Sequence, residues 1–290
     1  MKEKNYLIPS EIAEKTIEIG IKKVKTPVIH LLVLGFLAGA FIAFASEGSN
    51  MAAYNLLAQS ESYGLGKALA GAIFGTGLML VVLAGGELFT GNTLILLSVL
   101  DKKVTWVEMC RNWLVVYLGN LLGSLFIVFL IIESGQLSSS ENLLGAMTIK
   151  IAIGKVKLSF LQGIVLGIMC NWLVCLAVWL AYGALDMTGK IVAIFFPIWL
   201  FITSGFEHSI ANMYYIPVGI LAKQQSSYYE KALSLGVSKD TLDSLNWQSF
   251  FLRNLLPVTI GNIIGGTVFV ALIYWFVYKK RTMAKKEVLK

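Results

Sequence analysis

Charge is what this 290-residue sequence has least of: Asp, Glu, Lys and Arg make up 14% of it, against 57% hydrophobic residues and a mean hydropathy of +0.73. That excludes an ordinary soluble domain, and the apolar runs recur at the length a bilayer demands. Cysteine is scarce as well. Cys110, Cys170 and Cys175 are an odd set inside apolar spans, without the spacing of a disulfide frame or a metal site, so they read as small core residues and no metal or cofactor is expected. Only two histidines occur, His30 and His208. No paired carboxylates, nucleophile triad or metal cluster gather in the spans, which argues against a membrane enzyme and leaves no catalytic residue to assign. A pair of intramembrane histidines and a twin Asn-Pro-Ala motif are both missing, which disfavours an ammonia or water conduit. The first 27 residues are charged and lack an apolar core followed by a small-residue cleavage site, so no signal peptide is expected. The net charge of +7 invites a nucleic-acid reading. Its basic residues crowd into 2–25 and 279–290, however, where a positive-inside bias accounts for them, and no nucleic-acid partner is expected.

What the chain does have is a regular succession of apolar runs, preceded by one different segment. Ile12, Ala13, Ile17, Gly20, Ile21 and Val24 fall on one helical stripe with charged residues elsewhere, the pattern of an interfacial amphipathic helix. Residues 1–26 therefore read as an N-terminal cytoplasmic helix, 27–278 as a six-span transmembrane channel domain and 279–290 as a basic tail. The spans are expected at 27–45, 64–100, 106–132, 158–185, 191–221 and 254–278, with a surface helix inside the polar stretch 223–248. Six crossings put both termini on one side. Lys and Arg number roughly sixteen on that side and roughly eight on the other, which predicts a multi-pass protein of the cell membrane with both termini cytoplasmic. Lys150, Lys155 and Lys157 form a basic cluster on the opposite side, able to concentrate anions at a pore mouth or simply to be a solvated loop.

Two of the spans are interrupted. Gly85-Gly86-Glu87 followed by Thr90 and Asn92 places glycines, a carboxylate and hydrogen-bonding groups at membrane depth, and Ser204-Gly205-Phe206-Glu207-His208 answers it in the fifth span. Irregular backbone survives there only when it is buried in protein or lines a watery cavity. A repeat is written alongside: Arg111-Asn112, Gly119-Asn120 and Gly123 recur at the same spacings as Arg253-Asn254, Gly261-Asn262 and Gly265. Three spans per half make such a repeat inverted across the membrane, with the site near the midplane at the broken helices. Glycine pairs four apart in five spans, such as Gly35 with Gly39, let helix backbones approach closely. The expected fold is thus an all-α membrane protein of six spans in an inverted repeat, spans two and five broken.

Half-helices starting at both breaks would point unpaired N–H groups at one region and draw in a small anion without a fixed cation. His208 is either a group that titrates to stabilise an anion or protonate it, or a neutral histidine satisfied in a polar core. Thr90 offers a hydrogen bond to the cargo or to His208, and Asn171 or Asn212 could orient the ring. Glu87 and Glu207 read as clasps that accept backbone N–H groups freed by the breaks. Phe74, Leu78, Leu88, Phe89 and Phe201 are candidates for apolar constrictions, or plain core.

The runs Ala84-Gly85-Gly86-Glu87-Leu88-Phe89-Thr90-Gly91-Asn92 and Gly167-Ile168-Met169-Cys170-Asn171-Trp172 resemble the two signatures of the formate/nitrite transporter family. Residues 204–217 and 257–266 resemble the fifth-span motif and last span of its formate channels. The resemblance covers nearly the whole chain. It implies an aquaporin-like protomer in a homopentamer, one path per protomer, with Thr90 and His208 as the central pair. It further implies the five apolar residues named above as constrictions, Lys155 near the outer vestibule and the N-terminal helix over the cytoplasmic mouth. Asn171 matches the asparagine of the fourth-span motif. The function it implies is passage of small monovalent anions, formate first, with nitrite or hydrosulfide as the alternative. Gly91 departs from formate members that carry a serine there.

Overall fold

The computed structural model describes residues 4–280. Most of the basic tail expected at 279–290 lies outside the described residues. Helices dominate, and an isolated bridge between Tyr6 and Ala184 is the only β pairing among the described residues. In chain order they are α1 (Pro9–Lys25), α2 (Val28–Leu57), α3 (Tyr63–Met79), α4 (Phe89–Leu100), α5 (Trp106–Glu133), α6 (Leu143–Val156), α7 (Phe160–Gly183), α8 (Met187–Thr203), α9 (Ser209–Ala222), α10 (Ser226–Ser234), α11 (Lys239–Ser244) and α12 (Ser249–Lys279). Short π turns, Leu80–Gly85 among them, interrupt the second and last spans.

Both breaks fall where the glycines and carboxylates placed them. The helix of α3 unwinds through Leu80–Gly85 and resumes at Phe89; α8 ends at Thr203 and α9 starts at Ser209. Gly85 and Gly205 take positive φ, +98° and +74°, so glycine is needed there for the turn itself.

Three boundaries differ from the sequence reading. The first span does not stop at Ala45 but runs to Leu57, because its polar residues find partners inside the bundle. Ser46 and Ser49 donate to Ile42 and Ala45 carbonyls at 2.8 Å each, and Glu47 accepts from the Tyr214 hydroxyl and from Gln136 at 2.8 Å. Residues 143–156, which hold Lys150 and Lys155 of the basic cluster, form a largely buried helix, α6, too short to span. The stretch 223–248 holds two short helices rather than one.

α6 has a counterpart in α1. Lys23 and Lys155 sit in their last turns, each twelve residues before a glycine, Gly35 and Gly167, that packs into the next helix pair. Thr16 and Thr148 are both buried and donate to the carbonyl four residues back, at 2.7 and 2.9 Å. The repeat therefore begins at α1, which is half of a pair rather than an appendage. The two ends of the bundle are called below the α1 face and the α6 face.

Helix contacts within each half are set by glycine. A Cβ on Gly123 would lie 1.9 Å from the Phe36 carbonyl oxygen, and one on Gly39 2.1 Å from that of Asn120, so α2 and α5 touch backbone to backbone. In the other half a Cβ on Gly261 or Gly265 would lie 2.2 or 2.4 Å from the Ile164 or Ile168 carbonyl oxygen. Lipid supplies no hydrophobic drive between helices, so close packing of this kind must hold them.

Gly123→Ala is accordingly expected to force α2 and α5 apart and destabilise the protein by about 1–3 kcal/mol, lowering the thermal midpoint in detergent. Gly64→Ala, where nothing lies within 4 Å of the new Cβ, serves as the control and should leave the midpoint unchanged.

Candidate functional site

A broken helix exposes amides and carbonyls that lipid cannot satisfy. Here side-chain amides do it, identically in both halves. At the first break Asn120 accepts from the Phe89 N–H at 3.0 Å and donates to the carbonyls of Gly35 (2.8 Å) and Glu87 (2.9 Å). At the second, Asn262 accepts from the Ser209 N–H at 2.8 Å and donates to Gly167 (2.9 Å) and Glu207 (3.0 Å). The Glu87 and Glu207 amides donate to Leu34 and Leu166 carbonyls. The asparagines of the repeat thus take the clasping task expected of the two carboxylates.

The carboxylates tie side chains instead. Glu87 holds the Lys23 ammonium and the Asn92 amide, both at 2.7 Å; Glu207 holds the Lys155 ammonium at 2.8 Å, the Asn212 amide at 2.7 Å and the Asn254 amide at 3.2 Å. Asn92 and Asn212 donate in turn to Asn112 and Asn254, at 2.9 and 2.7 Å. Those two donate to the backbone carbonyls of Lys23 and Lys155 at 3.2 and 2.9 Å. Lys155 also lies 5.1 Å from the centre of the Tyr215 ring. Each break is therefore closed by a Lys–Glu–Asn–Asn ring that cancels its own charge.

Between the rings the two breaks meet. Thr90 Oγ1 and His208 Nε2 are 2.9 Å apart, and the residues are 0% and 3% exposed. His208 caps α9: its Nδ1 accepts from the Ala211 N–H at 3.1 Å. A ring nitrogen that accepts carries no proton, so the neutral ring bears its hydrogen on Nε2 and donates it to Thr90. The Thr90 hydroxyl hydrogen is then left to point elsewhere. Asn171 donates to the carbonyls of Asn262 (2.6 Å) and Thr90 (3.2 Å) and to Thr93 Oγ1 (3.3 Å), fixing the backbone under Thr90 rather than the ring. Asn212 is engaged by Glu207 and Asn254 and likewise leaves the ring to Ala211. Asn120, Asn262 and the His208 ring take the Phe89, Ser209 and Ala211 amides, so the helix starts are satisfied by protein in part rather than left wholly unpaired.

Cavities approach the pair from both ends. The one on the α1 face, about 360 Å³, is lined by Lys22 and Lys23 and reaches Leu78 and Leu88. The one on the α6 face, about 520 Å³, is lined by Lys67, Lys150, Lys155, Glu207 and Phe206. Phe74 and Phe201 meet edge to face at 5.7 Å, and Phe201 lies 6.0 Å from the His208 ring. Phe89 turns the other way, against Trp113 and Tyr117 of α5 at 6.0 and 4.8 Å. The arrangement is a buried polar pair sealed by apolar side chains between two polar vestibules. It can offer hydrogen bonds to one small solute at a time.

Sequence reasoning named Thr90, His208, Asn171, Glu87, Glu207 and Lys155 but gave no role to Asn112, Asn120, Asn254 and Asn262. Their recurrence at matching spacings was the signal. Lys23 reads as one more residue of the charged face of an amphipathic helix, and Lys67 lies near the start of an apolar span, so neither stands out by sequence.

The family model described as formate/nitrite transporter matches residues 10–276. A probable formate transporter of Methanothermobacter thermautotrophicus is 40% identical over 95% of this chain and 98% of its own. The formate channel FocA of Escherichia coli (strain K12) is 36% identical over 94% of this chain and 95% of its own. Among solved structures, a pentameric formate channel with formate bound superimposes with a TM-score of 0.77 at 39% identity, covering 87% of this chain and 97% of that one. An ion channel of the same family gives 0.77 at 29% identity, covering 92% and 98%.

Replacing Asn262 by Leu orphans the Gly167 and Glu207 carbonyls and the Ser209 amide. Asn262→Leu is expected to destabilise the folded protein by about 3 kcal/mol or more, at about 1 kcal/mol for each orphaned group. Thermal unfolding in detergent reads the loss, with Asn262→Asp, which keeps the acceptor, falling between.

Proposed function

The chain belongs to the formate/nitrite transporter family, and we propose that it conducts small monovalent anions across the cell membrane, with formate its main cargo. It is a channel or transporter, not an enzyme. The observation that carries the reading is the buried Thr90–His208 pair at the junction of two helix breaks. In the reading favoured here it works as a homopentamer with one path per protomer; its solved relative is a pentameric formate channel. Both termini face the cytoplasm, supported by the excess of Lys and Arg on that side, and α1 covers the cytoplasmic mouth.

The path follows from charge and hydrogen bonding. An anion drawn into either vestibule is attracted by the lysines outside the two pairs, Lys22 on one face and Lys67 and Lys150 on the other, while Glu87 and Glu207 cancel Lys23 and Lys155 beside the breaks, so it is not trapped there. Past Leu78 and Leu88, or past Phe201, it reaches Thr90. There the hydroxyl, polarised by the His208 Nε2–H, donates to a cargo oxygen. A bare anion in that apolar neck is costly to hold. A proton arriving with the anion removes the cost, since the cargo crosses as the neutral acid. For His208 to pass such a proton, its Nδ1 must first give up the Ala211 amide. Nitrite and hydrosulfide, also small and monovalent, fit the same site, and flux alone separates them from formate.

Proteoliposomes holding the purified protein test this. Formate influx that rises with an inward proton gradient is expected; preference for nitrite or hydrosulfide overturns the cargo and keeps the path. Thr90→Val, which loses a hydrogen bond to a charged group, should cut formate flux roughly tenfold to a hundredfold. His208→Phe should abolish proton co-movement while leaving an anion leak, and unchanged proton uptake in it would exclude a protonating role for the ring.

A further inference from the structure

The two vestibules are not electrically equivalent, although the clasps behind them are. On the α6 face the cavity wall carries three lysines and one carboxylate, Lys67, Lys150, Lys155 and Glu207. Lys155 is committed to Glu207 at 2.8 Å, and its backbone carbonyl to Asn254. Lys150 is exposed at the rim. Lys67, in the second turn of α3, is half-buried, and among the described residues it has no carboxylate within ion-pairing distance. Its ammonium lies 3.9 Å from where a Cβ on Gly205 would be, on the floor of the cavity beside the second break. Thr203 and Ser204 line the same wall.

The repeat provides an internal comparison. Lys67 stands twenty residues before Glu87; the residue twenty before Glu207 is Met187, which is 66% exposed. The symmetry that duplicates both clasps leaves this lysine without a counterpart. On the α1 face the cation left over after Lys23 pairs with Glu87 is Lys22, an exposed residue. An ammonium on a cavity floor, walled by low-dielectric protein, acts on a passing anion far more strongly than one at an open rim.

We propose that Lys67, with Thr203 and Ser204 beside it, forms an anion-capture subsite on the α6 face that raises the local concentration of a small monovalent anion ahead of the Phe201 neck. This rests on the channel reading above. The subsite holds its anion loosely, because the Lys155–Glu207 ring next to it is already neutral and adds no second cation. Lys67 also stands near the C-terminus of α8, where a cation steadies the helix end, so the test has to separate charge acting on the cargo from charge acting on the fold.

Low-concentration permeability of proteoliposomes to formate, nitrite and hydrosulfide is measured at about 10 mM and about 500 mM ionic strength, where screening lengths differ several-fold. Lys67→Met is expected to lower permeability to the conducted anion about tenfold at low salt and to converge on the unaltered protein at high salt; Lys67→Arg should behave as the unaltered protein does. A second arm uses Lys67→Cys in a Cys110→Ser background, the two remaining cysteines being buried. Attachment of an aminoethyl group by methanethiosulfonate restores a cation and should restore flux, whereas a sulfonatoethyl group should depress it further. Equal loss at both salt concentrations, or the same recovery with the sulfonatoethyl as with the aminoethyl reagent, assigns Lys67 to the fold and overturns the subsite. A protein that carries nitrite but not formate refutes the cargo assignment alone, because the same salt and charge comparisons, read with nitrite, still decide the subsite.

Discussion

A bilayer offers no hydrogen bonds to a broken helix, and this chain breaks two of them at the same depth. Everything around the site follows from that cost. Each orphaned backbone group would be worth several kcal/mol in hydrocarbon, so the breaks persist only because Asn120 and Asn262 reach across from neighbouring spans and replace the missing ladder. Those asparagines can reach because α5 and α12 press against α2 and α7 with glycine at the contact, at Gly119 and Gly123 in one half and Gly261 and Gly265 in the other. Close packing and polar satisfaction are thus one device: without the glycines the amides would fall short, and without the amides the breaks would close into helix.

The same economy governs charge. Glu87 and Glu207 are placed where a carboxylate would repel an anion, and each is neutralised by a lysine from the short helix of its own half, α1 or α6, and held by asparagine amides. A buried pair of this kind gives little net stability, since desolvation offsets most of the attraction. In the proposed path its effect is on the local potential, because Lys23 and Lys155 then add no net charge beside the breaks. The equivalence of α1 and α6 gives this a structural basis, because the two lysines come from corresponding turns of corresponding helices.

Much of this was legible in the amino-acid sequence, for physical reasons that also explain what was not. Breaks in lipid leave a strong mark: glycine, carboxylate and amide residues inside an apolar run have no innocent explanation, so 85–92 and 204–212 could be found by inspection. The Arg-Asn, Gly-Asn, Gly spacing revealed the repeat but not its task, because an asparagine on a helix looks the same whether it faces a neighbour's carbonyl or another side chain. α6 was not legible since its fourteen residues are too few to cross a membrane and its end carries Lys155, with Lys157 just beyond. The first span ran twelve residues past its expected end because Glu47, which reads as a boundary, is instead buried against Tyr214 and Gln136. In both cases tertiary partners, invisible to a hydropathy window, decided the outcome.

The central pair shows how far backbone geometry reaches into function. His208 is the N-cap of α9, and capping requires an acceptor, so the helix that the break creates also selects the protonation state of the ring between the two breaks. A side chain that both caps a helix and bonds Thr90 cannot gain a proton without loosening α9, which ties the electrical state of the path to the integrity of the break. In the proposed path the neck can then remain neutral at rest and still hold a titratable group, His208, within reach of the cargo. On that reading neutrality keeps a solute from being trapped, and the Thr90 hydroxyl, freed by that tautomer, would supply the polar contact that an apolar seal alone would lack.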